Sequence, residues 1–234
     1  MKFSQFIAEI YHGGTNGMPN TKIINIASLR GDRGYFHPSL TLTRKAKAAV
    51  AAANNRAVAA VHPYFAGMHI FGADGQIRDW AEYGWLYGHT SFKHYGQHIR
   101  LFNQYLANSP LPLLLFVEQG YHRGTLDLVK QLKVSSPLAI SITTEPFNDR
   151  PVLNWSPNDG HPWKTLAGIL KNIGIEKVYL MGELGYQLDK VDRTYLEVEG
   201  CAFGVGRGLK AHGFSVRYLR HMIFPNVPIP CASR

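Results

Sequence analysis

Cys201 is one of two cysteines in the chain, and it stands in a glycine-rich stretch, GCAFGVGRGLKAHG. The glycine spacing predicts a tight turn that leads into a helix ending at Gly213. A thiol at a helix N-terminus is a candidate nucleophile, because the positive end of the helix dipole lowers the thiol pKa and favours the thiolate. The alternative interpretation is a small buried side chain that packs the start of the helix. Cys201 is therefore the first catalytic candidate.

Glu118, Asp32 and His62 each follow a predicted strand. They should therefore lie at the carboxyl edge of a parallel sheet, where ligands usually bind. Carboxylates at such an edge can act as general acids or bases, so Glu118 and Asp32 are catalytic candidates. Both also have structural interpretations, since turns recruit Asp for local hydrogen bonds and Glu can cap a following helix. His62 is a candidate for ligand binding.

The glycine turn is also a candidate binding site. Glycines allow the backbone to approach a phosphate closely, and a cation on the following helix turn would add attraction. The chain carries 25 Lys and Arg against 16 Asp and Glu, a formal net charge of +9 that attracts anions. We predict a small anionic or nucleotide-like ligand here, bound by Gly200, Gly204, Gly206, Arg207 and His62. The alternative is that the glycines permit close helix packing, and the sequence predicts no particular cofactor.

Helix and strand patterns alternate along the chain. Apolar runs predict strands at 22–29, 57–61, 111–117, 138–143, 178–181 and 214–219. Helical spacing predicts helices at 43–54, 92–107, 125–132 and 164–172. This alternation predicts an α/β fold of three layers, with helices on both faces of a mostly parallel, Rossmann-like sheet. The continuous apolar run at 111–117 favours a central strand, and we expect 178–181 to be central too.

The length of 234 residues fits a single α/β domain over 1–234. Residues 64–98 are rich in aromatics and glycines and predict an irregular insertion or lid. His89, His94 and His98 fall in this region, but no Cys, Asp or Glu stands beside them at ligand spacing. No metal site is therefore predicted.

Cysteine usage and hydropathy bear on the compartment. Two cysteines, with Cys231 in a Pro-rich tail, argue against a disulfide framework and favour a reducing compartment. The first apolar run is short and contains Glu9, which is unlike a secretory signal, and no stretch approaches the ~20 apolar residues of a membrane helix. We expect a soluble, cytoplasmic protein that has no membrane partner.

The segment 162–219 resembles the closing half of the isochorismatase-like cysteine hydrolases. The resemblance rests on the run WKTLAGILKNIGIEKVYLMGE, on a helix headed by Cys201 and on the strand GFSVRYL that follows it. It implies that Cys201 is a nucleophile with a lowered pKa, working with an Asp after the first strand and a Lys before the helix. Either Asp32 or Glu118 would be this acidic residue, and the spacing does not distinguish between them.

The sequence departs from that family in two ways. No Lys stands at the expected place near Asn154. Residues 185–200 separate the predicted strand from Cys201, where the family has only a few residues. Both departures bear on the hydrolytic mechanism more than on the fold.

A second resemblance is to Rossmann-like nucleotide-binding proteins. Residues 195–199 would form a strand, and Gly200, Gly204 and Gly206 a glycine turn similar to the short-chain dehydrogenase fingerprint. The resemblance implies nucleotide or phosphate binding. Dehydrogenase activity is not expected, because the rest of that fold does not follow the turn.

Nucleic-acid binding is a third class, because nucleic acids bind basic surfaces that carry exposed aromatic rings. The relevant basic and aromatic residues are Arg78, Trp80, Tyr83, Trp85, Lys93, Tyr95 and Arg100. No recognised nucleic-acid-binding motif accompanies them, so a nucleic-acid partner is an alternative to the small ligand.

Overall fold

The computed structural model describes residues 23–29, 39–70, 92–131, 134–145, 149–153, 161–183, 187–188, 195–196 and 200–224. Within these ranges the chain forms a six-stranded sheet whose strands all pair in parallel, with helices on both faces. This is the three-layer α/β fold that the sequence predicts.

The strands of the main sheet are β1 (Ile23–Asn25), β2 (Arg56–Val61), β3 (Leu113–Glu118), β4 (Ala139–Thr144), β5 (Lys177–Glu183) and β8 (Ser215–Phe224). Their order across the sheet is β1-β4-β3-β2-β5-β8. Two short strands, β6 (Gln187–Leu188) and β7 (Tyr195–Leu196), form a separate antiparallel pair. The helices are α1 (Leu40–Ala52), α2 (Phe65–Ile70), α3 (Phe92–Asn108), α4 (His122–Gln131), α5 (Pro162–Asn172) and α6 (Cys201–Ala211).

The apolar core divides into two layers, one on each face of the sheet. On one face the buried side chains of α1, α5 and α6 pack against the sheet, as Val50, Leu170 and Val205 do. On the other face α2, α3 and α4 contribute side chains such as Phe65 and Phe102. The sheet is thus covered on both sides, which explains why its strands read as continuous apolar runs.

The β3 strand lies between β2 and β4, and every residue of Leu113–Glu118 is buried. The β5 strand is likewise paired on both sides, by β2 and β8. The predictions that 111–117 and 178–181 lie among the central strands are therefore confirmed.

The strand order reverses at β2. The chain runs from β2 to β3 and β4 on one side, then returns to form β5 on the other side of β2. In open parallel sheets, ligands bind at such a switch point, outside the carboxyl ends of the strands. The residues that end or follow these strands are His62, Glu118, Thr144 and Glu183, so the topology gathers them at one edge.

The predicted strand at 195–199 does not belong to the main sheet. Its described part, Tyr195–Leu196, pairs antiparallel with Gln187–Leu188 in the separate two-stranded sheet. A Rossmann-like turn would follow directly on a strand of the main sheet, and the described part of 195–199 pairs outside it. Within the main sheet α6 connects β5 to β8.

Much of the predicted insertion at 64–98 lies outside the described residues. Its described ends are helical: α2 follows β2, and α3 begins at Phe92. None of the helices in the described ranges is long and apolar enough to cross a membrane.

Candidate active site

Glu118 and Thr144 are neighbours at the carboxyl ends of β3 and β4. The parallel register places the two residues directly opposite each other. Side chains alternate between the two faces of a strand, so Glu118 is on the same face as Phe116, and Thr144 on the same face as Ile142. This is the face that α1, α5 and α6 cover. Only 3% of Glu118 is exposed, and Thr144 is fully buried. A buried carboxylate therefore stands at the end of the central strand.

His62 follows β2 and bends away from the strand with a positive φ of 44°. Its Nε2 lies 2.8 Å from Thr144 Oγ1. Since β3 separates β2 from β4, this hydrogen bond crosses the end of β3, where Glu118 lies. Burial lowers the pKa of His62 to about 4, so the ring is neutral at physiological pH. Its Nδ1 is buried and has no hydrogen-bond partner among the described residues.

Cys201 is the first residue of α6, and Gly200 occupies the N-cap position. The thiol is partly buried and packs against apolar residues of both core layers. Burial, with the negative charges of Asp149 and then Glu118, raises its pKa to about 12. The predicted lowering of the thiol pKa is therefore wrong, because desolvation and two carboxylates outweigh the helix dipole.

Asp149 is a site residue that the sequence reasoning missed. Its carboxylate packs against Gly204, and a Cβ added at Gly204 would overlap Asp149 Oδ2. Gly204 lies three residues after Cys201, on the same face of the first helical turn. Gly204 therefore has a packing function, as the alternative interpretation holds, and it lets a carboxylate come close to the thiol.

Gly206 and Gly208 also have close neighbours. Cβ atoms added there would overlap the rings of Tyr218 and Trp163, respectively. Arg207 is exposed, and it lies about 9 Å along the helix from Cys201 and roughly 120° around its axis. The structure thus gives Gly206 and Gly208 packing roles and places Arg207 away from the thiol. The ligand-binding role of Gly206 and Arg207 stays a prediction.

Of the predicted site residues, the structure brings together Cys201, Glu118 and His62, with Gly200 and Gly204 at the helix start. Asp32 lies outside the described residues. Thr144 was missed, although it follows the predicted strand 138–143 just as Glu118 follows the predicted strand 111–117. Taking every polar residue that directly follows a predicted strand as a site candidate would have found it.

No family model, curated protein or solved structure matches the chain.

Glu183 is a second buried carboxylate, at the end of β5 but on the opposite face of the sheet. Its Oε1 accepts hydrogen bonds from Tyr64 N at 2.9 Å and Tyr95 Oη at 3.2 Å, and its Oε2 accepts from Ala66 N at 2.5 Å. Burial raises the pKa of Glu183 to about 8, even though these donors act in the opposite direction. Both carboxylate oxygens of Glu183 accept hydrogen bonds from the backbone that follows β2. This favours a structural role for Glu183, in which it holds that backbone in place.

The sequence predicts no metal site at His89, His94 and His98. His98 is buried, with its ring centroid 5.7 Å from that of Phe102 and 5.3 Å from that of Phe224. His94 is exposed, and His89 lies outside the described residues. In the part of the chain that the structure describes, no three His, Cys, Asp or Glu side chains are grouped to hold a metal ion.

Proposed function

We propose that this chain is a cysteine-dependent hydrolase of a small carbonyl substrate, with Cys201 as nucleophile and Glu118 as general base. One observation carries the proposal: the thiol is on the first residue of α6 and the buried Glu118 ends β3, so both lie at the carboxyl edge of the parallel sheet. These two residues come from different strand–helix units, so only the tertiary structure brings them together.

The location supports the same reaction class. The thiol and the carboxylate lie at the carboxyl edge beside the topological switch point, where α/β enzymes bind ligands. The first N–H groups of a helix have no intrahelical acceptor, and at α6 they would stabilise the oxyanion that forms when the thiol attacks a carbonyl. The resemblance of 162–219 to the isochorismatase-like hydrolases favours the same reaction.

A thiol with a pKa of about 12 is protonated at neutral pH, so the nucleophile is not a preformed thiolate. As the sulfur–carbon bond forms, the S–H proton passes to the carboxylate of Glu118. The leaving group takes this proton and departs, and water then hydrolyses the thioester and restores the thiol. Neutral His62 shares a hydrogen bond with Thr144 and so fixes the orientation of the threonine hydroxyl at this edge.

Asp149 is the alternative base, because its carboxylate packs against Gly204, one helical turn after Cys201. Asp32 stays a prediction, since it lies outside the described residues. Replacing each carboxylate separately distinguishes these assignments.

Acylation by p-nitrophenyl acetate tests the proposal. We expect intact-mass spectrometry to detect one acetyl group per chain on Cys201, followed by its release as turnover proceeds. The Glu118→Gln variant should lose about 10²–10⁴-fold in the acylation rate, the usual contribution of a general base. Asp149→Asn should have the smaller effect if Glu118 is the base.

Cys231→Ser serves as the matched control, because it removes the other cysteine and should leave the rate unchanged. Equal hydrolysis by wild type and Cys201→Ala would contradict the proposal, as would an acetyl group that stays on the protein without turnover.

A second candidate function is nucleic-acid binding, and a basic surface on α6 favours it. Residues 200–224 contain Arg207, Lys210, Arg217 and Arg220 and no Asp or Glu. The two cations of α6, Arg207 and Lys210, are exposed, and Lys210 Nζ lies 4.7 Å from the centre of the Tyr218 ring. Side chains alternate along β8, so Arg217 lies on the face of the strand opposite to Tyr218 and outside this surface. Cations beside an aromatic ring are typical of surfaces that bind single strands.

The aromatic region predicted for this function gives less support. Tyr95 is buried in the core under α3, so its ring is not available for stacking on bases. Residues 78–85 lie outside the described ranges. The surface on α6 is therefore the better candidate for contact with nucleic acid.

Oligonucleotide binding as a function of salt tests this second function. The double variant Arg207→Gln/Lys210→Gln should reduce the slope of log K against log salt by about 1–2. Lys45→Gln/Lys47→Gln makes the same charge change on the exposed face of α1 and should leave the slope unchanged. Equal slopes in the two double variants would show non-specific attraction and contradict this function.

A further inference from the structure

The turn that follows β2 has a strained backbone. His62 has a φ of 44° and Tyr64 a φ of 68°, values that are uncommon for residues other than glycine. Such conformations cost free energy and persist only where the surrounding structure holds them. This turn therefore depends on contacts from other elements of the fold.

The Glu183 carboxylate supplies such contacts. Its Oε1 accepts a hydrogen bond from Tyr64 N at 2.9 Å, and its Oε2 accepts one from Ala66 N at 2.5 Å. The Tyr95 hydroxyl extends the same set, since it donates to Glu183 Oε1 at 3.2 Å and accepts from Gly67 N at 2.8 Å. Two side chains, from β5 and α3, thus hold three backbone N–H groups of the turn and of the start of α2.

The strand register places Glu183 beside this turn. Gly182 pairs with Val61, the last residue of β2, so Glu183 and His62 follow at neighbouring strand ends. The Glu183 side chain bonds to residues of α2 and α3 on one face of the sheet. His62 Nε2 instead lies 2.8 Å from Thr144 Oγ1, on the face that α1, α5 and α6 cover. A contact on one face therefore holds the backbone that carries the His62 ring to the other face.

We propose that Glu183 is a positioning residue for the active site, which holds His62 in the orientation from which its ring reaches Thr144. This inference rests on the proposed hydrolytic function, because Thr144 lies opposite the general base Glu118 in the register of β3 and β4. In this assignment Glu183 acts through His62 and takes no part in the proton transfer.

Replacing Glu183 with glutamine breaks half of this contact. Each carboxylate oxygen accepts one backbone N–H, from Tyr64 or from Ala66. A glutamine amide has one accepting oxygen and an NH₂ group that only donates, so one of the two backbone N–H groups loses its acceptor. The strained turn then loses part of its support, and His62 should lose its fixed orientation.

Nitrogen NMR of the imidazole rings measures this orientation without any substrate. The His62 signals are assigned by their absence from His62→Gln, and Thr144→Val shows their position when the Nε2 hydrogen bond is lost. We expect Glu183→Gln to move the His62 signals towards their position in Thr144→Val. Glu176→Gln, at an exposed carboxylate before β5, should leave them at the wild-type position. Unchanged His62 signals in folded Glu183→Gln would overturn the inference.

A double-mutant cycle on acylation by p-nitrophenyl acetate gives the second readout. Glu183→Gln and His62→Gln should each lower the acylation rate by about 10–10²-fold, because small displacements in a site have effects of this size. Since Glu183 acts through His62, the Glu183→Gln substitution should have little further effect in the His62→Gln background. An equal fold-loss in both backgrounds shows a general structural effect and contradicts the positioning role.

Failure of the inference and failure of the function give different results. If the wild type is not acylated, the hydrolase proposal fails, and the His62 signals still decide whether Glu183 sets the orientation of this ring. If Glu183→Gln does not fold, amide hydrogen exchange of the wild type takes its place. The Tyr64 and Ala66 amides should exchange as slowly as those of β3, and fast exchange at both would show that Glu183 does not hold the turn.

Discussion

Replacing Gly182 with alanine should destabilise the protein strongly. Gly182 has a φ of +132°, and a Cβ built there would lie 2.5 Å from Val61 N and 2.8 Å from Val61 C. These backbone atoms belong to the neighbouring central strand, where Val61 pairs with Gly182, so neither strand can shift without breaking the sheet. Strain and overlap together should cost about 3–6 kcal/mol. The total stability of a domain is only about 5–15 kcal/mol.

Urea unfolding followed by circular dichroism measures this effect. Gly168→Ala is the matched control, since a Cβ at this helical position meets nothing within 4 Å. It should stabilise the protein by about 0.5–1 kcal/mol, because alanine is the better helix former. A loss of less than about 1 kcal/mol for Gly182→Ala would contradict the described contact between β2 and β5.

The sequence predicts the sheet and one half of the site for the same physical reason. Strands buried on both faces are continuous apolar runs, and the chain after each run must emerge at one edge of a parallel sheet. Glu118 and His62 could be placed there because they follow such runs directly. Cys201 could be placed because glycine precedes a helical pattern.

Local hydrogen bonds shifted two predicted boundaries. The strand predicted over 22–29 ends at Asn25, whose Oδ1 accepts a hydrogen bond from Ala27 N at 2.9 Å and turns the chain. The first long helix begins before Thr43, because Ser39 Oγ accepts a hydrogen bond from Leu42 N at 3.2 Å. Apolar periodicity does not register such side-chain bonds.

Asp149 could not be placed from the sequence, because no periodic pattern fixes the segment after β4. Its position depends on a tertiary contact with Gly204, which also explains a glycine that looked like part of a phosphate-binding turn. Burial raises the thiol pKa most, and the Asp149 carboxylate adds to it. A sequence can show a thiol at a helix start, but the sign of the pKa shift depends on which charges the fold brings to it.

The stability of the protein should reach its maximum near pH 6.5 and fall towards pH 8. Burial raises the folded-state pKa of Glu183 from 4.5 to about 8, so the folded chain keeps a proton that the unfolded chain has lost. The Glu183 contribution to stability therefore declines by about 1.4 kcal/mol per pH unit between these two values, which is about 2 kcal/mol from pH 6.5 to 8. Burial lowers the pKa of His62 to about 4 and that of His98 to about 3. The unfolded chain binds these protons first, so stability also declines below pH 6.5.

Glu183→Gln isolates the alkaline limb of this profile. The variant cannot release the proton, so its free energy of unfolding should be nearly constant from pH 6.5 to 8, where the wild type loses up to about 1.4 kcal/mol per pH unit. The loss below pH 6.5 should remain in the variant, because the two histidines are unchanged. Glu176→Gln removes an exposed carboxylate at the other end of β5 and should keep the wild-type slope. If Glu183→Gln instead declines between pH 6.5 and 8 as steeply as the wild type, Glu183 is ionised in the folded state. Its three hydrogen-bond donors then outweigh its burial.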